Sequence, residues 1–410
     1  MDRILSWIEN NLTPVMNKIN HNVWIVTLKD SINQVMPLIF LGSIFSMLTL
    51  PGSIFDWKWW PNFGIPQGWT MGMISLMMSF LIPFNFMEKN KLRKSRIIAG
   101  ITGLILYAIT ITPQLIADNT PGFSHAAFGA GGMFIAIVTG LITGFILKLF
   151  GKISFFKEDS NLPDFIRQWF DQMLPIGVVV ILGWIIVGIL GFDLYNVILT
   201  LFRPLQGIAE TYWGFIALIV IKGVFYSMGI SAWVLVPITM PIMLAGIEAN
   251  IAGTASNVFT SSFQYAYYTI GGGGCTLGLA FLLLKSKSKK LKSLGKVVVV
   301  PSIFNINEPL VFGTVVYNII LMIPMILNCF ISASLAYLFT KVIPFAVIPK
   351  ILFQLWYCPY PICTWLATGG SITSVILVIG IFIITTLVWY PFFKIYEKQY
   401  LAEEELEGED

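Results

Sequence analysis

The sequence predicts an all-α polytopic membrane protein. Of its 410 residues, 56% are hydrophobic and only 11% are charged, whereas a soluble domain carries about 25% charged residues. Apolar segments recur along nearly the whole chain, each close to the length of about 20 residues that crosses a hydrocarbon core of about 30 Å as a helix. Helices are expected because an open sheet would leave backbone groups without hydrogen bonds in lipid.

The N-terminal segment, MDRILSWIENNLTPVMNKI, alternates charged and apolar residues at helical spacing. It has neither the apolar core nor the small-residue cleavage site of a signal peptide. We therefore expect an amphipathic helix that lies at the membrane interface.

Basic residues predict the topology, because short cytoplasmic loops collect Lys and Arg. Clusters of these residues follow three apolar segments, at roughly 69–86, 128–150 and 265–284. The turns DWKWWPNFGIPQGW and ADNTPGFSH hold one Lys and no Arg between them. We expect the basic loops and both termini in the cytoplasm, with EKQYLAEEELEGED as a solvated acidic tail.

The two halves of the chain differ in regularity. Residues up to about 201 form five fairly regular spans, whereas Gly, Pro and polar residues interrupt the remainder in MGISAWVLVPITMPI, IGGGGCTLG, FNINEPLVFG and WYCPYPICTWLATGG. Irregular backbone persists at membrane depth where protein or a water-filled cavity satisfies it, and transporters bind polar solutes in such segments. The alternative is that Pro and Gly only kink packed helices, but four interruptions in one half favour a substrate site.

Glu308 is the acid that this pattern makes most interesting, since no Lys or Arg lies between Lys296 and Lys341. A carboxylate at membrane depth costs several kcal/mol unless it is neutralised, paired or hydrated. Beside Asn305 and Asn307, it could accept hydrogen bonds from a sugar and take a proton from a reacting hydroxyl.

A structural role for Glu308 is the alternative, in which its carboxylate caps the short helix that begins after Pro309. Glu248, in LAGIEANIAG, is a weaker functional candidate of the same kind.

The cysteines and histidines indicate no metal site. Two histidines, His21 and His125, lie far apart, and the four cysteines are scattered singly at Cys275, Cys329, Cys358 and Cys363. Cysteine as a small core-filling residue is the favoured interpretation. We expect no cofactor, no metal and no nucleic-acid partner.

Several runs occur in a characteristic order: MPLIFLGSIF, GAGGMFIAIVTG, IGGGGCTLGLAFLL, NEPLVFG, LATGGS and YPFFKIYEKQ. Their combination resembles the membrane-spanning EIIC subunit of the lactose, cellobiose and diacetylchitobiose family of bacterial sugar phosphotransferase systems (PTS). The resemblance covers essentially the whole chain. It implies the elevator fold of the glucose superfamily of PTS EIIC proteins, with about ten transmembrane helices and two re-entrant hairpins, which we place near 297–317 and 344–368.

The function implied by the resemblance is that of a permease in a PEP-dependent system of the bacterial cell membrane. Such a permease binds a disaccharide, moves it inward, and presents its 6-hydroxyl to a phosphocysteine on a separate cytoplasmic EIIB, which is supplied through EIIA and HPr. Because that cysteine lies on EIIB, the resemblance leaves open whether the chain is itself an enzyme.

The resemblance also implies a division of the chain. Residues 1–201 would form a homodimeric interface domain, made of the amphipathic helix and about five transmembrane helices. Residues 202–396 would form the substrate-binding transport domain, and residues 397–410 the cytoplasmic tail.

Among the site residues that the resemblance implies, Glu308 would be the base and the hydrogen-bond acceptor near the reacting hydroxyl. Asn307 would bind a sugar hydroxyl, and Trp356 would supply an aromatic platform for a sugar ring. Tyr226 takes a position that is often Trp. Gly129 would lie where the backbone approaches the sugar.

One departure from the family concerns the segment that usually reads Gly-Ile-His-Gly, which here reads Gly229-Ile230-Ser231-Ala232. A Ser231 hydroxyl can hydrogen-bond a sugar but cannot carry positive charge near neutral pH. A facilitator or sugar sensor that is uncoupled from phosphorylation is therefore an alternative function. A membrane-embedded enzyme such as an acyltransferase would need a nucleophile or a His-based pair at one depth, and the sequence offers none.

Overall fold

A computed structural model describes residues 18, 21–111, 114–115, 121–151, 154, 163–230 and 235–407. The α-helices are, in chain order, α1 Val23–Leu48, α2 Leu50–Ile54, α3 Gly64–Thr70, α4 Ile74–Lys89, α5 Arg96–Thr110, α6 His125–Phe128, α7 Met133–Phe150, α8 Asp164–Gly183, α9 Leu194–Glu210, α10 Tyr212–Ser227, α11 Val236–Ile251, α12 Ser261–Phe263, α13 Leu277–Leu284, α14 Lys289–Ile303, α15 Glu308–Leu310, α16 Ile319–Tyr337, α17 Ile362–Ala367 and α18 Ile372–Glu407.

Short non-α elements extend or connect these helices. Two-residue strands, β1 Gln114–Leu115 and β2 Pro121–Gly122, pair antiparallel with Gln114 opposite Gly122. The remaining turns are 3₁₀ or π helices at Met71–Met73, Arg93–Ser95, Ala130–Gly132, Trp184–Ile189, Gln264–Tyr268, Val311–Val315 and Leu338–Val342. The N-terminal segment predicted as an amphipathic helix lies outside the described residues apart from residue 18, and so do residues 231–234, which include Ser231 and Ala232.

Six spans in the described part of the chain are long and apolar enough to cross a bilayer: Val23–Gly52, Gly64–Lys89, Ala130–Phe150, Ile166–Ile189, Ile319–Val342 and Ile372–Leu406. Helices α9 and α10 pass the same test together, although the chain bends by 85° between them. These spans confirm the predicted all-α membrane architecture. The predicted number of about ten transmembrane helices stays a prediction.

The first half packs as a bundle in which glycines allow helices to approach closely. A β-carbon at Gly103 of α5 would lie 2.2 Å from the carbonyl oxygen of Ser79 in α4. On α7, a β-carbon at Gly140 would lie 2.9 Å from Cβ of Ile82. Close contacts between small residues are a principal source of helix association in membranes.

The interruption that the sequence predicts at IGGGGCTLG is present in the structure, within the apolar segment at 265–284. The chain leaves the π helix at Tyr268, passes through the loop 269–276, and re-enters a helix only at Leu277. Three glycines of this loop have positive φ angles, including +97° at Gly272. Such backbone is incompatible with a continuous right-handed helix, whatever its average hydrophobicity.

The segments proposed as re-entrant hairpins are both interrupted. In 297–317, α14 ends at Ile303 and α15 begins after a four-residue turn. In 344–368, the chain is irregular until α17 begins at Ile362. Their assignment as re-entrant hairpins stays a prediction.

The acidic C-terminal segment is not the freely solvated tail that the sequence predicted. Helix α18 continues through it to Glu407. The Glu397 carboxylate is buried and accepts hydrogen bonds from the Ser286 hydroxyl and the Lys287 amide, each at 2.7 Å. Glu404 accepts from the backbone amides of Lys289 and Lys290. The first N–H groups of α14 need acceptors, and α18 supplies them.

Candidate functional site

Three of the interrupted segments meet at the turn between α14 and α15. The turn contains Asn305 and Asn307, and its neighbours are the glycine loop at 271–274 and the irregular segment around Trp356. Beneath the turn, α13, α14, α15, α16 and α18 share a core that includes Leu283, Val298, Leu310, Met325 and Trp389. The packed core therefore holds the turn in place from below.

Asn307 is the most enclosed polar residue of the turn, with 3% of its surface exposed. Its amide nitrogen donates to the carbonyl oxygen of Gly273 at 3.0 Å and to Oγ1 of Thr276 at 2.8 Å. Its Oδ1 accepts from the hydroxyl of Tyr226 at 2.9 Å. Both amide hydrogens and one lone pair of Oδ1 are thus used within the protein.

The glycine loop fits closely around Asn307. A β-carbon at Gly272 would lie 2.3 Å from Cγ of Asn307, and the φ angle of Gly272 is +97°. Both the space and the backbone conformation therefore require glycine. The run IGGGGCTLG is part of the wall of the site.

Glu308 is the first residue of α15, followed by Pro309. Its side chain is exposed, and the structure gives it no hydrogen bond or ion pair with any described residue. The capping hydrogen bond of the structural alternative is not formed by the described residues at the start of α15. A charged acceptor held at the junction of three irregular segments is free to bind a polar ligand or accept a proton.

Trp356 lies across the turn from Asn305 and is half-buried. Its carbonyl oxygen accepts a hydrogen bond from the amide of Asn305 at 2.8 Å. Its ring meets that of Tyr357 edge to face, with 5.6 Å between the centroids. The aromatic candidate and the acidic candidate are thus attached to one turn.

Glu248 and Gly129, which the sequence placed in different roles, lie together. The Glu248 carboxylate on α11 accepts from the backbone amides of Ala130 at 2.7 Å and Gly131 at 3.0 Å. A β-carbon at Gly129 would lie 2.7 Å from Glu248 Oε1. At Gly129, therefore, the backbone approaches the carboxylate of Glu248 in this structure; the predicted approach to sugar stays a prediction.

Two features were missed by sequence reasoning. Asn305 connects three segments, and only the fold reveals its partners. Lys222 of α10 stands alone in the apolar run IALIVIKGVFY, with its Nζ 5.7 Å from the ring centroid of Phe259. An isolated cation in an apolar span was a signal that could have identified Lys222.

Metal ligands are not grouped in the described part of the chain. No set of three or more His, Cys, Asp or Glu side chains there could hold a metal ion. Cys275, Cys329 and Cys363 are buried and not cross-linked.

Comparison with known proteins is consistent across sequence and structure. Residues 29–329 match the family model "Phosphotransferase system, EIIC". The chain is 29% identical over 439 residues to the cellobiose-specific EIIC component of Geobacillus stearothermophilus, covering 99% of this chain and 97% of that protein. It is 27% identical over 426 residues to the lactose-specific EIICB component of Staphylococcus epidermidis, covering 98% of this chain and 72% of that protein.

A solved structure resembles the whole fold. The crystal structure of the transporter ChbC, the IIC component of the N,N'-diacetylchitobiose-specific phosphotransferase system, superposes with a TM-score of 0.86. The two sequences are 27% identical, and the match covers 97% of this chain and 99% of ChbC.

Proposed function

The chain belongs to the EIIC family of phosphotransferase systems, and we propose from this premise that it carries a disaccharide of the cellobiose, lactose or diacetylchitobiose class. It is an integral membrane permease, and its family implies a sugar substrate and an EIIB partner. The sugar class rests on the relatives, which are described as specific for lactose, cellobiose and N,N'-diacetylchitobiose.

The environment of the Glu308 carboxylate is the observation on which the proposed mechanism rests. The carboxylate is exposed and lacks a partner among the described residues, while the turn that holds it is fixed by the amides of Asn305 and Asn307. A preorganised acceptor of this kind can orient a hydroxyl and take its proton in the reaction. Trp356 offers an apolar face to a sugar ring, and Tyr226, Gly129 and Ser231 complete the proposed set of sugar-binding residues.

The chemical step follows from this placement. The sugar 6-hydroxyl oxygen attacks the phosphorus of phosphocysteine on EIIB, the sulfur–phosphorus bond breaks, and the hydroxyl proton passes to the Glu308 carboxylate. EIIB receives its phosphoryl group in turn through EIIA and HPr. The departure at Ser231 favours one second candidate, a facilitator or sensor that binds sugar without this step.

The proposed assembly places residues 1–201 at a homodimer interface and lets residues 202–396 move with the sugar in an elevator-like shift. Both termini lie in the cytoplasm, next to the basic loops. The Phe353 backbone amide donates to the Ser262 hydroxyl and the Gln354 side-chain amide donates to the Ser261 hydroxyl, which supports common movement of α12 and the irregular segment.

Glu308→Gln tests the proposal, because it keeps the size of the side chain while removing its charge and basicity. We expect a folded, membrane-inserted protein that has lost most sugar uptake and sugar-dependent dephosphorylation of EIIB. Glu405→Gln, at an exposed position near the C-terminal end of α18, is the matched control and should transport normally. Normal uptake by inserted Glu308→Gln would refute the role of Glu308.

A further inference from the structure

Asn305 ends helix α14 in a position that is usually filled by glycine. Its φ angle is +61°. The amide of Asn305 bonds to the carbonyl of Ser302 at 3.0 Å, and that of Ile306 bonds to the carbonyl of Pro301 at 2.9 Å. This pair of bonds is the Schellman termination, in which the left-handed residue is most often Gly and sometimes Asn. Backbone geometry alone would therefore accept glycine here.

The side chain of Asn305 accounts for the departure from glycine. Its Oδ1 accepts from the backbone amide of Gly271 at 2.8 Å. Its Nδ2 donates to the carbonyl oxygens of Trp356 and Cys358, both at 2.8 Å. One side chain thus accepts from one irregular segment and donates twice to another.

An amide is suited to this combination. A carboxylate could accept from Gly271 but could not donate to the carbonyls of Trp356 and Cys358, and a hydroxyl has a single hydrogen to donate. Glutamine has the same groups but is one methylene longer and lacks the preference of Asn for positive φ. The contacts therefore match the residue type at position 305.

Glu308 and Trp356 are linked through this residue. Asn305 lies three residues before Glu308, and its Nδ2 is bonded directly to the Trp356 carbonyl. The Asn307 amide holds the Glu308 side of the turn to Gly273 and Thr276 independently. Loss of the Asn305 amide would therefore remove the hydrogen bonds that hold the Trp356 and Cys358 carbonyls, while Glu308 stays anchored through Asn307.

We propose that Asn305 is a positioning residue that sets the placement of Trp356 relative to Glu308 and thereby sets affinity for the sugar. This inference rests on the proposed sugar site. Asn305 does not touch the sugar in this role; it acts through the main chain of Trp356.

Asn305→Gly is the decisive variant, because it keeps the left-handed helix termination and removes only the amide. We expect the sugar dissociation constant, and the KM for sugar-dependent EIIB dephosphorylation, to rise about tenfold or more, as loss of several net hydrogen bonds implies. The maximal rate should stay within about twofold of wild type, since Glu308 remains anchored. A purely structural role would lower thermal stability without separating KM from kcat.

Asn305→Asp is the second variant, which keeps the acceptor for Gly271 and loses both donated bonds. It should also raise the dissociation constant. The matched control is Asn90→Asp at the end of α4, where Nδ2 of Asn90 donates only locally to the Phe86 carbonyl at 2.7 Å. This control should bind sugar as wild type does.

A double-mutant cycle with Trp356→Phe tests the route of the effect. If Asn305 acts through Trp356, the two changes should be clearly non-additive in binding free energy. The inference would be overturned if the two effects were additive or if Asn305→Gly left the dissociation constant unchanged. It would also be overturned if both Asn305 variants failed to fold.

Sugar binding by the wild-type protein distinguishes a failure of the positioning role of Asn305 from a failure of the proposed function. Binding is measured on full-length protein with cellobiose, lactose and N,N'-diacetylchitobiose. Wild-type protein that binds none of these would refute the proposed function, and the inference with it. Wild-type binding with unaltered variants would refute the positioning role alone.

Discussion

Glu248→Gln should loosen a contact between the proposed interface and transport domains. The Glu248 carboxylate, on α11, accepts from the backbone amides of Ala130 and Gly131 in the 3₁₀ helix that precedes α7. A hydrogen bond to a charged group contributes about 1.5–3 kcal/mol. Glutamine keeps one acceptor but turns an NH₂ group toward the second amide, so we expect to lose about one such bond.

Amide hydrogen exchange measures this loss directly, because exchange reports the free energy of local opening. A loss of about 1.5–3 kcal/mol predicts exchange about 10- to 150-fold faster at Ala130 and Gly131 in Glu248→Gln. The measurement is mass spectrometry on the full-length protein in detergent, following peptides that contain these two residues.

Glu210 provides a matched control with the same chemistry. Its carboxylate accepts from the backbone amides of Val258 at 2.7 Å and Phe259 at 3.0 Å, and all three residues lie within 202–396. Glu210→Gln should accelerate exchange at Val258 and Phe259 and leave Ala130 and Gly131 unchanged. Unchanged protection of Ala130 and Gly131 in Glu248→Gln would refute the contribution assigned to this carboxylate.

The remaining predictions concern the site wall, the missing histidine and the assembly. Gly272→Ala should lower the melting temperature and abolish sugar binding, because the new β-carbon would lie 2.3 Å from Cγ of Asn307. The control Gly380→Ala should melt as wild type does, because no atom lies within 4 Å of its new β-carbon. Ser231→His combined with Ala232→Gly should raise sugar-dependent dephosphorylation of EIIB in vesicles, because an imidazole can carry charge near neutral pH. If the wild-type rate already equalled that of a His-containing relative, the need for this histidine would be contradicted. In mass photometry, the detergent-solubilised protein should run as a dimer of the 45.8 kDa chain, and a monomer alone would count against the proposed interface.

Composition and charge were enough to predict the class of protein. Low charge content and recurrent apolar segments require a helical membrane protein, because the bilayer leaves few ways to satisfy the backbone. The ordered motifs predicted the EIIC family, which the comparisons confirm. Glu308 stood out because an isolated acid in apolar sequence is costly unless it is used.

Local sequence predicted the break at IGGGGCTLG, where glycines interrupt an apolar run, and Gly271, Gly272 and Gly274 have positive φ angles in the structure. Local sequence misjudged the acidic tail. Its charges predicted solvation, whereas Glu397 and Glu404 serve as acceptors for the loop before α14 and the first turn of that helix.

The sequence by itself determined that this protein folds in a membrane, its helical class and the acid of its proposed site, because these follow from composition and short motifs. Only the tertiary structure decided the partners of the polar side chains. Asn305 bonds to residues 34, 51 and 53 positions away, and Glu248 to residues 117 and 118 positions away. In apolar surroundings each of these groups must find a partner, and chain folding brings that partner within reach.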